Sequence, residues 1–259
     1  MRRKIPVAVA ALAVAFASAG VIYAITNGRP DGDNHPYVGV LVFDDANGPA
    51  WMCTGSLIAP TVVLTAGHCT YGAVAARIWF VPSIWPYLDE WPGGGPTSIS
   101  GTPYAHPAYA SRFIDVGVVV LDEPVTDKGF AQLPDPGVVD TLAMKADIDL
   151  VGYGVQWKQR VPGPPRGKWA WDGLRYYAPS QYIGSEEKIG VQFLKLTANP
   201  ASGKGGVCFG DSGGPSLVGG SNLVLAVNSF VNNSNCAGVT YSMRVDRTDV
   251  LEWVNMFLP

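Results

Sequence analysis

Residues 210–215 read GDSGGP, the most distinctive stretch of this chain. One serine among three glycines, followed by a proline, is typical of a tight loop. Two other segments carry reactive side chains, LTAGHC at residues 64–69 and DVGVVVL at residues 115–121. Taken singly, each segment has a structural explanation as a loop or as the start of a strand. Their order along the chain, histidine, then aspartate, then serine, is what indicates chemistry.

Outside these segments the sequence predicts many short β-strands. Runs rich in Val, Ile, Tyr and Trp alternate with Gly and Pro turns, and such residues suit a pleated, half-buried surface. The predicted strands are 37–43, 56–59, 61–64, 77–81, 116–121, 148–151, 174–177, 191–196, 223–230 and 239–245. No alternating helices accompany them, so the pattern predicts an all-β barrel or sandwich architecture. One short C-terminal helix is expected at about 248–258, with Thr248 as its cap and Val250, Leu251 and Val254 on one face.

Composition excludes several classes of protein. The chain has 259 residues, of which 47% are hydrophobic, so it is not a disordered chain. Only 15% of residues are charged, against roughly 25% in an ordinary soluble domain, and glycine and proline are frequent, which argues against a helical bundle. The formal net charge of −3 gives no reason to expect nucleic acid as a partner.

The N-terminus has the pattern of a secretory signal. Three basic residues at 2–4 precede an almost continuously apolar run at 5–17. Small residues at Ala19 and Ala24 offer two cleavage sites. We therefore expect a signal peptide at 1–24 and an exported, extracellular protein.

Cleavage after Ala19 would leave a short pro-segment at 20–24. The alternative is an uncleaved membrane anchor, because residues 5–26 are uncharged and long enough to span a bilayer. Removing residues 1–24 takes three of the 18 cations and none of the 21 anions, which leaves a net charge of −6. We expect no stable membrane association once the signal is cleaved.

Together, the three segments resemble the trypsin/chymotrypsin-like serine protease family, of the secreted bacterial type. Further stretches that resemble the family are ITNG at 25–28, HPY at 35–37, CTGSLI at 53–58, HPAY at 106–109, GYG at 152–154 and SFV at 229–231. The resemblance covers nearly all of residues 25–259. It implies an all-β fold of two six-stranded antiparallel Greek-key barrels, at about 25–125 and 140–245. The active site would lie in the cleft between them. Gly67 and Gly117 depart from the pattern, since the family often has alanine there.

The resemblance implies catalytic roles for His68, Asp115 and Ser212. A serine hydroxyl is a poor nucleophile unless a base removes its proton, and His68 would be that base. Asp115 would hold the imidazole in the useful tautomer and would itself be supported by Ser229. The backbone N–H groups of Gly210 and Ser212 would form the oxyanion hole.

Two more roles follow from the same resemblance. Asp211 would pair with the α-ammonium of Ile25 after cleavage and thereby order the oxyanion loop. The structural alternative for Asp211 is a turn carboxylate satisfied by backbone N–H groups. Phe230 would lie on the strand that pairs with substrate, together with Ser229.

The primary specificity pocket would lie around Gly206, six residues before the nucleophile. A glycine there cannot select Lys or Arg as an acidic residue would. Val231 would narrow the pocket, Gly238 or Val239 would form another wall, and Phe209 would cap it. The expected preference is for small or medium apolar side chains. The structural alternative is that Val231 and Phe209 pack on their own barrel.

Four cysteines allow three disulfide connectivities. Export favours pairing over free thiols. The resemblance implies a Cys53–Cys69 bond, and local pairing would also join Cys208 to Cys236. A metal site is the alternative, but the sequence has no CxxC pair and no histidine at ligand spacing, so we expect neither a metal nor another cofactor.

The sequence thus predicts a secreted serine endopeptidase that works through an acyl-enzyme and cleaves proteins or peptides. A monomer is expected, with a protein inhibitor as a further partner. The alternative is a non-catalytic binding protein, or a latent membrane-anchored one, on the same fold.

Overall fold

The computed structural model describes residues 25–155, 157–159, 168–186 and 190–259. The expected signal peptide lies outside the described residues. Among the residues that are described, no helix has the length and apolar character needed to cross a membrane.

The first barrel is a closed antiparallel sheet. In chain order the first seven strands are β1 (Arg29–Pro30), β2 (Val38–Asp45), β3 (Gly48–Ala59), β4 (Val62–Thr65), β5 (Ala75–Trp79), β6 (Ile99–Ala105) and β7 (Gly117–Leu121). Strands β2 to β7 close in the order β2-β3-β4-β7-β6-β5, with β5 pairing back to β2. Closure leaves no open edge between the strands that carry the site.

The second barrel repeats the strand order of the first. The remaining strands are β8 (Asp147–Gly152), β9 (Trp157–Gln159), β10 (Lys168–Ala170), β11 (Tyr176–Glu186), β12 (Gly190–Ala198), β13 (Pro215–Val218), β14 (Val224–Val231) and β15 (Gly238–Arg244). Six of them close in the order β8-β11-β12-β15-β14-β13, with β13 pairing back to β8. In both barrels, therefore, the strands follow the cycle first, second, third, sixth, fifth, fourth. The expected pair of six-stranded antiparallel barrels is confirmed.

Helices are short in the described part of the chain: α1 (Gly67–Thr70), α2 (Tyr109–Arg112) and α3 (Thr248–Asn255). The C-terminal helix was expected at about 248–258, but α3 is shorter and ends at Asn255. Its N-cap is Arg247, so Thr248 is the first helical residue and not the cap. The expected apolar face holds, since Val250, Leu251 and Val254 are buried.

One apolar cluster spans both barrels, and a second cluster, which includes Leu150 and Leu196, lies in the second barrel. Buried side chains of the first barrel, such as Leu41 and Ile78, belong to the same cluster as Phe193 and Met243 of the second. Burying one such side chain stabilises the fold by roughly 1.5–3 kcal/mol. The shared core therefore holds the two halves of the cleft in a fixed relation.

A buried ion pair fastens the N-terminal segment to the second barrel. The Arg175 side chain donates to Asp31 over 2.7 Å and to the carbonyl of Val38 over 2.9 Å. Burial alone would raise the pKa of Asp31, but hydrogen bonds and charge from His35 and Arg175 lower it. Upstream, Thr26 forms a bridge with Gly206. The segment from Thr26 to Asp31 thus lies along the second barrel.

Candidate active site

His68 and Asp115 are joined by three contacts. The Nδ1 atom of His68 lies 2.9 Å from Oδ2 and 3.1 Å from Oδ1 of Asp115. The backbone N–H of His68 also donates to Oδ1 over 2.7 Å. The Ser229 hydroxyl donates to Oδ2 from the second barrel. The carboxylate therefore fixes both the position and the orientation of the imidazole.

Asp115 is fully buried, yet its pKa lies below the usual value. Burial alone would raise this pKa; the hydrogen bond and charge of His68, with the hydrogen bond from Ser229, outweigh it. The side chain is accordingly an ionised acceptor at neutral pH.

Local structure explains where His68 stands. It lies on α1, directly after β4, and the Cys53–Cys69 disulfide ties this helix to β3. An alanine at Gly67 would bring its Cβ within 2.9 Å of the Tyr109 ring. Tyr109 thus occupies the space that the family's usual alanine would need.

Ser229 reaches Asp115 because β14 is irregular at this residue. Asn228 pairs with Ser242 and Phe230 pairs with Tyr241, so Ser229 is the extra residue of a β-bulge. Bulges commonly re-aim a side chain beside an active site. Here the bulge lies where a side chain of the second barrel meets a carboxylate of the first.

The turn that carries Ser212 is fastened across the barrels. The N–H of Thr54 on β3 donates to the Ser212 carbonyl over 2.8 Å. The Thr54 hydroxyl donates to the Gly210 carbonyl over 2.9 Å. Gly210 has a φ of +98°, which glycine adopts readily, and a Cβ there would lie 2.6 Å from Met52. In the hydrogen bonds of the described residues, neither the Gly210 nor the Ser212 N–H donates to a protein acceptor.

Ser212 and His68 line one cavity of about 250 Å³. The other lining residues are Val207, Cys208, Phe209, Asn228, Ser229, Phe230 and Val231. The described hydrogen bonds include none between the Ser212 hydroxyl and His68. Such bonds are often long before substrate is present.

Asp211 is a second fully buried carboxylate, one residue before Ser212. Backbone N–H groups of Gly154 and Cys208 donate to it over 2.7 and 2.8 Å. The N–H of Ile25 also donates to it. Burial nevertheless raises the pKa of Asp211 to about 7, because these bonds only partly offset the loss of water. Ile25 itself is fully buried and has a φ of +44°.

The family model described as Trypsin matches residues 25–254. The chain belongs to the trypsin family. It is similar to Serine protease 1 of Drosophila melanogaster, with 28% identity over 251 residues, 89% of this chain and 84% of that protein. It is also similar to Trypsin of Saccharopolyspora erythraea, with 29% identity over 208 residues, 76% of this chain and 82% of the relative. The solved structure of HL collagenase has a TM-score of 0.67 and 18% identity, and covers 86% of this chain and 94% of its own.

As a member of the trypsin family, the chain is a serine-type endopeptidase that acts on proteins or peptides. This trypsin-family site has the residue types of a triad at one cleft, contributed by both barrels. The first barrel carries His68 and Asp115, and the second carries Ser212 and Ser229.

The expected pocket residues of this trypsin-family chain divide into two groups. Phe209 and Val231 line the cavity beside Ser212. Gly206, Gly238 and Val239 are not among its lining residues in the described structure. Gly206 instead faces β12, where an added Cβ would lie 2.2 Å from the Ala198 Cβ.

Three residues of the site were missed by the sequence analysis. Val207 and Asn228 line the cavity, and Thr54 holds the Ser212 turn. For Val207, the signal was its position five residues before the nucleophile. Thr54 and Asn228 lie far from Ser212 in sequence, and only strand pairing brings them to it.

The two disulfides lie one on each side of the cleft. Cys53 bonds Cys69, and Cys208 bonds Cys236, with sequence separations of 16 and 28. Among the described residues, one cluster has the spacing of a metal site, namely Cys53, Cys69 and His68. Its two sulfurs are bonded to each other and are not thiolates, the form that binds metals.

Proposed function

We propose that this protein is a secreted serine endopeptidase in which Ser212 is the nucleophile, His68 the general base and Asp115 its orienting carboxylate. One observation carries the proposal. The His68 ring is held by a buried, ionised Asp115 and borders the cavity that Ser212 also lines. This is the arrangement that activates a serine hydroxyl in the trypsin family.

The proposed reaction follows the family's two-step template. The Ser212 Oγ attacks the scissile carbonyl carbon as its proton passes to Nε2 of His68. The oxyanion receives the N–H groups of Gly210 and Ser212. His68 then gives the proton to the leaving amine, and an acyl-enzyme remains on Ser212. Water, deprotonated by His68, attacks the ester and releases the acid.

The proposed specificity is for small or medium apolar side chains. Val207 and Val231 contribute aliphatic groups to the cavity, and Phe209 contributes an aromatic ring. The residues that line the cavity in the described structure include no carboxylate. A lysine or arginine side chain would therefore enter without a counter-charge, which is unfavourable.

We further propose that cleavage before Ile25 completes the site. The Ile25 nitrogen already lies at the Asp211 carboxylate, and cleavage would turn that neutral amide into an ammonium. The charge would lower the pKa of Asp211 and stabilise the adjacent turn. Gly154 makes room for this carboxylate, since a Cβ there would lie 2.6 Å from it.

Export belongs to the same proposal. A signal peptide at 1–24, with or without the pro-segment 20–24, would deliver the domain 25–259 outside the cell. There the two disulfides persist. The barrels at about 25–125 and 140–245, followed by the helix, would act as a monomer on protein or peptide substrates, with a protein inhibitor as a further partner.

Active-site titration tests the proposal. A form beginning at Ile25 is treated with a serine-directed sulfonyl fluoride, and the modified residue is located by peptide mapping. We expect one label per chain, on Ser212, with loss of peptide hydrolysis in proportion. The matched control is Ser212→Ala, which should fold normally and take no label. A correctly folded wild-type form without label or hydrolysis would support the non-catalytic alternative.

A peptide library tests the pocket. We expect cleavage after Ala, Val and other small or medium apolar residues. Preferred cleavage after Lys or Arg would overturn the proposed specificity and leave the triad assignment in place.

A further inference from the structure

Asn228 makes an unusual set of contacts with the turn that carries the nucleophile. It lies on β14, is fully buried, and borders the Ser212 cavity. Its carbonyl accepts from the Gly213 N–H over 2.8 Å, and its own N–H donates to the Gly214 carbonyl over 2.8 Å. Its side-chain Nδ2 donates to the Asp211 carbonyl over 3.3 Å. One residue therefore touches the main chain on both sides of Ser212.

The orientation of the Asn228 amide follows from the chemistry around it. Nδ2 faces two carbonyl oxygens, those of Asp211 and Val151, which only accept hydrogen bonds. Oδ1 faces two hydroxyls, those of Ser216 and Ser242, which can donate. The opposite orientation would set oxygen against oxygen at Asp211.

The amide is locked by a buried polar network across three neighbouring strands. Ser216 on β13 and Ser242 on β15 are both fully buried, and their hydroxyls lie 2.8 Å apart. Each hydroxyl has one proton, so one donates to Oδ1 and the other donates within the pair or to Oδ1. A fully satisfied buried network of this kind favours a single side-chain position.

We propose that Asn228 is a positioning residue for the Ser212 nucleophile and its oxyanion donors. It acts through the Asp211 carbonyl and the Gly213–Gly214 main chain, and it does not contact the reacting atoms. Its neighbour Ser229 holds Asp115. Two consecutive residues of β14 thus position the nucleophile and the base relative to each other. This inference rests on the proposed role of Ser212.

The test compares variants that remove different parts of the network, all in the form beginning at Ile25. Asn228→Leu keeps the approximate volume and removes the amide. Asn228→Asp keeps the acceptor toward the hydroxyls and, when ionised, lacks the donor to Asp211. Ser242→Ala is the matched control, since Ser216 still holds Oδ1 and Nδ2 is untouched. The measurements are kcat and KM on one peptide, the sulfonyl fluoride labelling rate, and Tm.

We expect Asn228→Leu to lower kcat and the labelling rate at least tenfold while KM changes less than threefold. Ser242→Ala should stay within threefold of wild type in kcat and in the labelling rate, even if its Tm falls as far as that of Asn228→Leu. For Asn228→Asp, the activity relative to wild type should recover as pH falls, because the protonated acid again donates to the Asp211 carbonyl. This pH dependence of Asn228→Asp tests the inference even if Asn228→Leu does not fold.

Two results would overturn the inference. One is a folded Asn228→Leu variant, or a folded Asn228→Asp variant with its carboxyl ionised, that labels at the wild-type rate. The other is a Ser242→Ala control that loses as much kcat as the Asn228 variants at equal Tm, since that would make the network merely structural. Failure of the wild-type enzyme to label would instead contradict the proposed function itself.

Discussion

Asp115 in the first barrel and Asp211 in the second are both fully buried, yet their pKa values shift in opposite directions. The pKa of Asp115 is lowered, because hydrogen bonds from His68 and Ser229 and the charge of His68 outweigh the effect of burial. The pKa of Asp211 is raised to about 7, because burial outweighs the hydrogen bonds that it accepts from the N–H groups of Gly154, Cys208 and Ile25. Asp115 is stable as an anion in the chain as it stands, whereas no cationic side chain of the described residues pairs with Asp211.

The difference separates a preformed half of the site from a conditional half. The Asp115 carboxylate contacts His68 of the first barrel and Ser229 of the second. The turn that carries Ser212 contains the Asp211 carboxylate, whose proposed partner is the ammonium that cleavage would create at Ile25. On this proposal, the part of the site in the first barrel can be assembled before activation, and the part in the second barrel would be completed by it.

The largest expected effect comes from removing the charge of the preformed half. Asp115→Asn should keep the geometry but favour the wrong tautomer of His68, and in the family's template this change costs about 10⁴ in kcat. We expect a loss of that order near neutral pH, measured as kcat on a peptide substrate. A variant that kept more than a tenth of wild-type activity would show that Asp115 does not orient the base.

Next comes the conditional half. In the form beginning at Ile25, Asp211→Asn should reduce kcat about 10²- to 10³-fold, because a buried pair broken on one side loses roughly 3–5 kcal/mol. Adding one Met before Ile25 removes the same ammonium from its place and should cost a similar factor. If the Met-extended form matched the Ile25 form in turnover, Asp211 would need no cation and the contrast with Asp115 would fail.

The two disulfides offer a matched comparison of the halves. Loops of 16 and 28 residues should each contribute about 3 kcal/mol to stability. The double variants Cys53→Ser/Cys69→Ser and Cys208→Ser/Cys236→Ser should therefore lower Tm by similar amounts. Only the second should change specificity on a peptide library, since Cys208 borders the cavity and Cys53 does not. If both double variants kept the wild-type specificity, the Cys208–Cys236 disulfide would not be what holds the pocket.

The smallest expected effect is a pH dependence of stability. With residue 24 still attached, the pKa of Asp211 is raised from 3.8 to about 7. The stability that comes from its neutral form is then fully present below pH about 4 and is lost as pH rises through 7. In a Ser212→Ala precursor, Tm should fall over this range by several °C more than in the same precursor carrying Asp211→Asn. Parallel curves would mean that Asp211 has a partner already.

The sequence located ten of the twelve barrel strands, because those runs are rich in β-branched and aromatic residues. Two of these predictions were too short: 56–59 covers only the end of β3, and 174–177 reaches only the first two residues of β11. It missed β6 and β13. In β6, Gly101 and Pro103 interrupt the pattern, and β13 begins at Pro215 directly after the GDSGG turn. Both strands form because neighbours on each side pair with them, a tertiary effect that local propensity does not record.

The same distinction applies to the site. His68, Asp115 and Ser212 could be named because each stands in a local motif. Asn228 and Thr54 could not, since nothing in their own segments indicates that β14 and β3 converge on the nucleophile turn. Gly206 shows the converse, because counting back from the nucleophile assigned it to a pocket whose lining begins at Val207.

The backbone of Ile25 is strained. A φ of +44° is an outlier for a β-branched residue, and such a conformation costs about 1–3 kcal/mol when the surroundings enforce it. That torsion exists only while a carbonyl carbon precedes the Ile25 nitrogen. The proposed hydrolysis of the bond to residue 24 would abolish this dihedral angle, so the same cut would create the charge and relax the backbone. The uncut chain therefore holds backbone strain at Ile25, and rejoining the two pieces would restore that strain.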